Sequence, residues 1–273
     1  MNRNISIIKP GRRSFIGQLR QVYDYRSFIV LFARRDIKAY YSQSLLGILW
    51  SFIQALTAIV IVNFFFGKLM GLHVGKIPYA LFAFPGMMAW YYFSQLVSQA
   101  GTSLLQSQHI IKKIFFPKLI LPLSKTLAGL VEFGIWFILF LIMLVYYHYP
   151  LSINILILPL ALLLNIIAGL SVAIWLSALT IRYRDANHII PYLIGFGIFV
   201  TPVFFETSMI PLQYHYLIYF NPMAGVIVLM RWCLLGIEGP SWYYCAGIIP
   251  FIVLFFTGLY YFRKVEGKMV DLL

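Results

Sequence analysis

Six long apolar runs decide what this chain can fold into. They lie near Leu45–Phe66, Tyr79–Gly101, Leu119–Tyr147, Ile153–Ile181, Ile189–Phe205 and Trp242–Phe262. A helix needs roughly 20 predominantly apolar residues to cross the hydrocarbon of a bilayer. Composition agrees: 62% of the 273 residues are apolar and 11% charged, against about 45–50% and about 25% in soluble domains. A chain this apolar could not keep its surface wet, and in lipid every backbone polar group must be satisfied internally. The expectation is therefore an all-α integral membrane protein with six transmembrane helices. Disordered, collagenous and disulfide-scaffold classes fall at the same step. Cys233 and Cys245 stand twelve residues apart in apolar surroundings and suggest neither a disulfide framework nor a metal cluster.

Between the fifth and sixth runs, Met209 to Gly236 is apolar but interrupted at Asn221-Pro222. Its halves are too short to span and read as a re-entrant helix pair. The charges test that parity. With six crossings and both termini inside, 18 of the 21 Lys and Arg fall on the cytoplasmic side; only Lys68, Lys76 and Arg231 fall outside. A seventh crossing would move Arg263, Lys264 and Lys268 out, against the positive-inside rule. The same rule accounts for the net charge of +13 without nucleic acid. The beginning of the chain is not read as a cleavable signal peptide, because no sustained apolar core or small-residue cleavage site follows its first basic residues.

The region ahead of the first run differs in kind. From Phe15 to Tyr40, apolar residues recur at helical spacing, interleaved with Arg20, Arg26, Arg34, Arg35 and Lys38. A basic amphipathic helix of this type lies in the membrane interface, with its cations on lipid headgroups. The alternative is a helix packed on the bundle. The chain thus divides into a cytoplasmic N-terminus (1–44), a six-span domain (45–262, with the re-entrant stretch at 209–236) and a cytoplasmic tail (263–273).

Several motifs occur in matched order. The first is RDIKAYYSQSLLGILW, where Arg35, Asp36, Lys38, Tyr41, Ser44, Leu46, Gly47 and Trp50 open the first span. The second is QHIIKKIFFPKLILPL, from Gln108 to Leu123. Arg182, Arg184 and Asp185, then Thr201-Pro202-Val203, then Asn221-Pro222 with Arg231 follow, and FRKVEGKMVDLL ends the chain. Together these resemble the permease subunits of the ABC-2 transporter family, in particular the branch that exports lipid-linked polysaccharide. Tyr40, Ser42 and His109 depart from the residues common there.

The resemblance implies a non-enzymatic transport subunit that works as a homodimer with two copies of a separate ATP-binding subunit in the bacterial inner membrane. This chain would carry no cofactor, and ATP with Mg would sit on the partner. GLHVGKI and the Gly-Lys pairs lack the spacing of a phosphate-cradling Walker loop, which agrees. Gln108, His109, Ile110, Ile111, Lys112, Lys113, Ile114, Phe115 and Phe116 would form the coupling helix, stopped by Pro117 and seated on the ATPase. A plain basic loop explains Lys112 and Lys113 but not the large apolar residues beside them.

The family also implies that the first and fifth spans line the channel. Tyr192, Phe196 and Phe199 share one face of the fifth, and aromatic faces suit sugars; belt or lipid-facing positions explain them equally well. Tyr91, Tyr92, Trp242 and Tyr243 read as interfacial belt residues. Arg34, Arg35 and Lys38 are candidates for attracting a lipid pyrophosphate. Intramembrane charges are costly and mark functional candidates. Glu132 lies about 20 Å along the third span, with a structural hydrogen bond or ion pair as the plainer role. Arg231 could pair with Glu206 or Glu238, or meet an anionic group of the substrate. O-antigen ranks first among cargoes, ahead of capsular polysaccharide and teichoic acid. An embedded transferase would want clustered carboxylates, and a secondary transporter an internal repeat; neither is evident.

Overall fold

A computed structural model describes residues 15–42, 46–72, 75–183, 185–237, 239–267 and 269. Two helices lead in, α1 (Phe15–Asp24) and α2 (Arg26–Ser42). Helix α3 (Leu49–Val62) continues as π-helical turns over Asn63–Leu69, and α4 runs Tyr79–Gly101. Two single-turn helices, α5 (Ser103–Gln106) and α6 (Gln108–Ile111), precede α7 (Ile120–Tyr146). Helix α8 (Leu158–Arg182) follows a 3-10 turn at Ile153–Ile157, and α9 covers Ala186–Val200. Next come α10 (His215–Phe220) and α11 (Pro222–Leu235), and α12 (Ile248–Glu266) closes the described chain behind a 3-10 segment at Trp242–Gly247. No β-strand occurs among the described residues.

Helix α4 is the axis of the bundle, with 18 of its 23 residues buried. Small residues at Ala80, Ala83, Gly86 and Ala89 let α7, α8 and α11 approach it. Phe84 packs on Trp136 and Phe140 of α7, with ring centroids 5.5 and 6.1 Å apart. Asn165 of α8, fully buried, donates its Nδ2 to the Ala89 carbonyl at 3.0 Å. The outer surface is apolar instead: Ile138, Ile142, Leu156, Leu163 and Tyr260 are all at least half exposed. A continuous apolar exterior of this kind needs a non-aqueous environment or a partner.

Helix α12 is fastened to α8 by one tryptophan. Trp175 stacks on Tyr261 (4.9 Å, 12°) and donates its indole N–H to Thr257 at 3.2 Å. Gly258 completes that slot, since a methyl group there would lie 2.7 Å from Trp175 Cδ1. Gly258→Ala is therefore expected to lower the protein's stability by about 1–3 kcal/mol, the usual cost of overpacking. Thermal melting in detergent measures it, and an unchanged melting temperature would show that the slot gives way freely.

Four helical segments are long and apolar enough to cross a membrane: Leu49–Leu69, Ile120–Tyr146, Ile153–Arg182 and Trp242–Glu266. A fifth qualifies if Leu212–Phe220 and Pro222–Leu235, bent by 94°, count as one. Two of the six expected spans, α4 and α9, do not stand out by length and composition. Helix α4 has the length, but Tyr91, Ser94, Gln95, Ser98 and Gln99 put a polar stripe along it. Helix α9 stops at Val200 after 15 residues, about 22 Å of rise, short of the ~30 Å hydrocarbon. The cause is Pro202. A residue before proline is driven out of the helical region, and Thr201 is extended (φ −102°, ψ 140°). The bend at Asn221-Pro222 follows the same rule: Asn221 is extended, and its side chain caps α11 by accepting from Met223 N at 3.1 Å.

The single amphipathic helix expected from Phe15 to Tyr40 is two helices, divided at Tyr25. One face of α2 lies on the bundle, burying Phe32 and Ala33, while Tyr23, Val30 and Leu31 stand out. Tyr91 and Tyr92 are not belt residues. Tyr92 is buried and donates to the Thr126 carbonyl at 3.2 Å, whereas Trp242 and Tyr243 are exposed.

Candidate functional site

Functional candidates gather at the end of the bundle where α2, α5, α6 and the start of α7 meet. The expected coupling helix is shorter than its motif. Only Gln108–Ile111 is helical; 112–116 continue as turns and extended chain into Pro117. The helix therefore ends well before the proline. Its apolar residues also separate into two sets. Ile111 and Phe116 are buried, but Ile114 and Phe115 are 52% and 53% exposed, alongside exposed His109, Lys112 and Lys113. Phe116 inserts under α2, 5.4 Å from the Phe32 ring and stacked 6.2 Å from Phe28. The backbone around Ile111–Phe116 and Lys118 encloses a hollow of about 300 Å³. Lys118 N donates to Glu266 Oε1 at 3.0 Å, joining this segment to the end of α12.

Arg34, Arg35 and Lys38 are all exposed on α2. Arg35 is engaged locally, bonded to Asp36 at 2.8 and 3.0 Å and lying 5.0 Å over the Phe32 ring. The other Asp36 oxygen meets Lys125 Nζ at 2.9 Å, an ion pair with side chains only 14% and 10% exposed. Lys125 thus finds its partner on α2 rather than at Glu132 of its own helix. Removing one member of a largely buried pair strands the other charge. Asp36→Asn should therefore cost about 1–3 kcal/mol and loosen α2, and Lys125→Met should add little to it. A double-mutant cycle of thermal stability checks this; additive losses would mean that the two groups act independently.

A polar ladder climbs from this end. Gln99 Nε2 donates to Gln95 Oε1 (3.0 Å), Gln95 Nε2 to the Tyr91 hydroxyl (3.1 Å), and Tyr91 to Gln54 Oε1 of α3 (3.4 Å). Trp136 stacks on Tyr91 at 4.5 Å. Glu132 is 7% exposed beside this row; its carboxyl hydrogen-bonds Tyr91, but Oε2 has no partner among the described residues. Sequence reasoning missed the ladder, although Tyr91, Gln95 and Gln99 stand at i, i+4 and i+8 on one helix face.

Arg231 makes neither of its expected ion pairs within the described residues; Glu238 lies outside them. Its guanidinium donates to three backbone carbonyls: Val203 (2.7 Å), Phe82 (3.2 Å) and Phe205 (3.4 Å). It also covers the Phe82 ring at 3.9 Å. Tyr79 donates to the Phe204 carbonyl at 2.6 Å, and Asn221 Nδ2 to Thr201 Oγ1 at 2.9 Å. Arg231 and Tyr79 thus satisfy the Val203, Phe204 and Phe205 carbonyls in the turns and bends of 201–205, while Asn221 holds the Thr201 hydroxyl.

On α9, Tyr192, Phe196 and Phe199 share an outward face and are each about 70% exposed. The opposite face meets α4, where Gly197 lies against Trp90. Arg184 lies outside the described residues.

The described residues form an apolar helical bundle with a proline-broken helix pair, and sequence comparison supplies its class and family. The chain belongs to the ABC-2 type transporter family, whose characteristic region matches residues 27–235. Among its relatives is an O-antigen export system permease protein RfbA of Klebsiella pneumoniae, 27% identical over 248 residues, covering 90% of this chain and 94% of the relative. The RfbA of Myxococcus xanthus is 27% identical over 196 residues, covering 71% and 74%. The polysialic acid transport protein KpsM of Escherichia coli is 23% identical over 244 residues, covering 86% and 92%.

Proposed function

We propose that this chain is the membrane-spanning subunit of an ATP-driven exporter that moves lipid-linked polysaccharide across the bacterial inner membrane, with O-antigen as its cargo. The observation that carries this reading is similarity along 90% of the chain to an O-antigen export permease. Capsular polysaccharide is the second reading, favoured by the similarity to the polysialic acid transport protein.

In this reading two copies of the chain form the pore, and two separate subunits bind ATP and Mg. Both termini are cytoplasmic, α4 and α9 complete six crossings, and α10 and α11 form a re-entrant pair. Helix α9 reaches across with its non-helical continuation 201–205, whose Val203, Phe204 and Phe205 carbonyls accept from side chains. That is the condition for non-helical backbone at membrane depth. The segment from Gln108 to Phe116 seats the ATPase, and exposed Ile114 and Phe115 supply its apolar contact. Tyr192, Phe196 and Phe199 face the cargo path in the dimer. Arg34 and Lys38, with Arg35 beside them, attract the pyrophosphate of the lipid carrier.

Deletion and complementation in the native host test the proposal. Loss of surface O-antigen, accumulation of the lipid-linked polymer inside, and recovery by the plasmid-borne gene are expected. Unaltered surface glycan in the deletion strain would refute it.

A further inference from the structure

A cavity of about 390 Å³ opens between α2, α4, α5 and α7, within the size range of small-molecule sites. Asp36, Tyr40, Tyr41, Gln99, Lys125 and Glu132 line it. We infer that this cavity is a subsite for a sugar residue, recognised as an uncharged polyhydroxyl group. The inference rests on the exporter reading above and adds a cargo-contacting site away from the outward face of α9.

Glu132 points to a ligand. It is 93% buried, given its 7% exposure, it lines the cavity, and its Oε2 has no hydrogen-bond partner among the described residues. A buried polar atom without a partner is costly, so native proteins leave few of them. The Tyr91 hydroxyl stands beside the carboxyl but is shared with Gln54 and Gln95. That shared hydroxyl hydrogen-bonds the carboxyl, and the oxygen it leaves over is open to a donor from outside.

The charges select among donors. Lys125 and Arg35 are both taken by Asp36, so among the described residues no cation on this wall is left over for a phosphate. A carboxyl group facing the cavity gives a phosphate no cation to bind and offers oxygens that accept from hydroxyl groups. Gln99 commits its amide N–H to Gln95 and keeps its carbonyl oxygen as a second acceptor. Tyr40 and Tyr41, ring centroids 5.0 Å apart and edge to face, bring flat apolar area. Acceptors beside aromatic faces suit a sugar ring better than a lipid headgroup. Beyond the cavity, Gln95, Tyr91 and Gln54 continue the hydrogen-bonding row toward α3.

Photo-crosslinking in the native host, with the full chain and its ATPase, tests this. Tyr40, 47% exposed, is replaced by p-benzoylphenylalanine, and permease adducts are stained for periodate-reactive sugar, with the cell's own exported glycan as the probe. Leu163, exposed on α8 away from the cavity, serves as the control position. A glycan adduct is expected from position 40 and not from 163. Glu132→Leu should cut it about tenfold or more, as expected when a hydrogen bond to a charged group is lost. Glu132→Gln, close in volume and still an acceptor, should cut it less, and it serves as the test should the Leu variant fail to reach the membrane. Absence of a sugar adduct, an adduct containing phospholipid alone, or an adduct unchanged by either variant overturns the subsite. If deletion of the gene abolishes surface glycan in the same cells, the exporter reading survives that failure. Surface glycan that persists in the deletion strain defeats both.

Discussion

Arg231→Leu is expected to remove most folded permease from the membrane. The guanidinium holds Val203, Phe205 and Phe82 by their carbonyl oxygens. Phe82 sits inside α4, but Val203 and Phe205 lie in a turn and a bend outside any helix. Each orphaned buried acceptor costs about 1–3 kcal/mol, so the pair is worth about 2–6 kcal/mol, a large share of ordinary stability. Arg231→Lys keeps the charge but not the planar fork and should fall between. Membrane abundance and thermal melting in detergent give the readout. A Leu variant as abundant and as stable as wild type would mean that water or another side chain takes over those carbonyls.

The second large effect separates two neighbouring phenylalanines. Phe115→Ala should weaken co-purification of the ATPase and leave permease abundance unchanged, because the ring is half exposed and packs on no described ring. Burying such a ring in a partner is worth roughly 1.5–3 kcal/mol, so affinity should fall about ten- to hundredfold. Phe116→Ala should do the reverse. Its ring is 3% exposed against Phe28 and Phe32, and emptying such a site costs about 3–5 kcal/mol of stability. Titrating the ATPase against permease in nanodiscs, beside melting curves, resolves the two losses. Normal ATPase binding by Phe115→Ala would remove Gln108–Phe116 as the coupling element and shift attention to the loop after α8.

How much of this was readable in the sequence follows from the range of each interaction. The apolar runs that became α3, α7, α8 and α12 are properties of contiguous residues, and the break at Asn221-Pro222 is local backbone chemistry. The end of α9 was equally local: Pro202 was in plain view, but the apolar run continued through Phe205 and hid the stop. Helical spacing offers Lys125 only neighbours on its own helix, whereas its partner Asp36 lies on α2; no periodicity reports a pair between helices. Arg231 was matched to carboxylates because charges are visible in a sequence. Its true partners are backbone carbonyls, which every residue carries and no residue type reveals. Phe115 and Phe116 are identical letters, and only the position of α2 makes one an outer surface and the other an inner wedge.

That wedge links parts that are far apart in the chain. Through Phe116 the segment after α6 bears on α2; through Lys118 and Glu266 it is tied to the end of α12. Helix α2 is in turn pinned to α7 by Asp36 and Lys125. A force applied at Phe115 therefore has no single recipient. It loads three helices at once through a ring, an ion pair and one backbone hydrogen bond. The side chains that brace this rim of the bundle in its resting state are the same ones that would have to slip, or travel together, whenever the rim tilts.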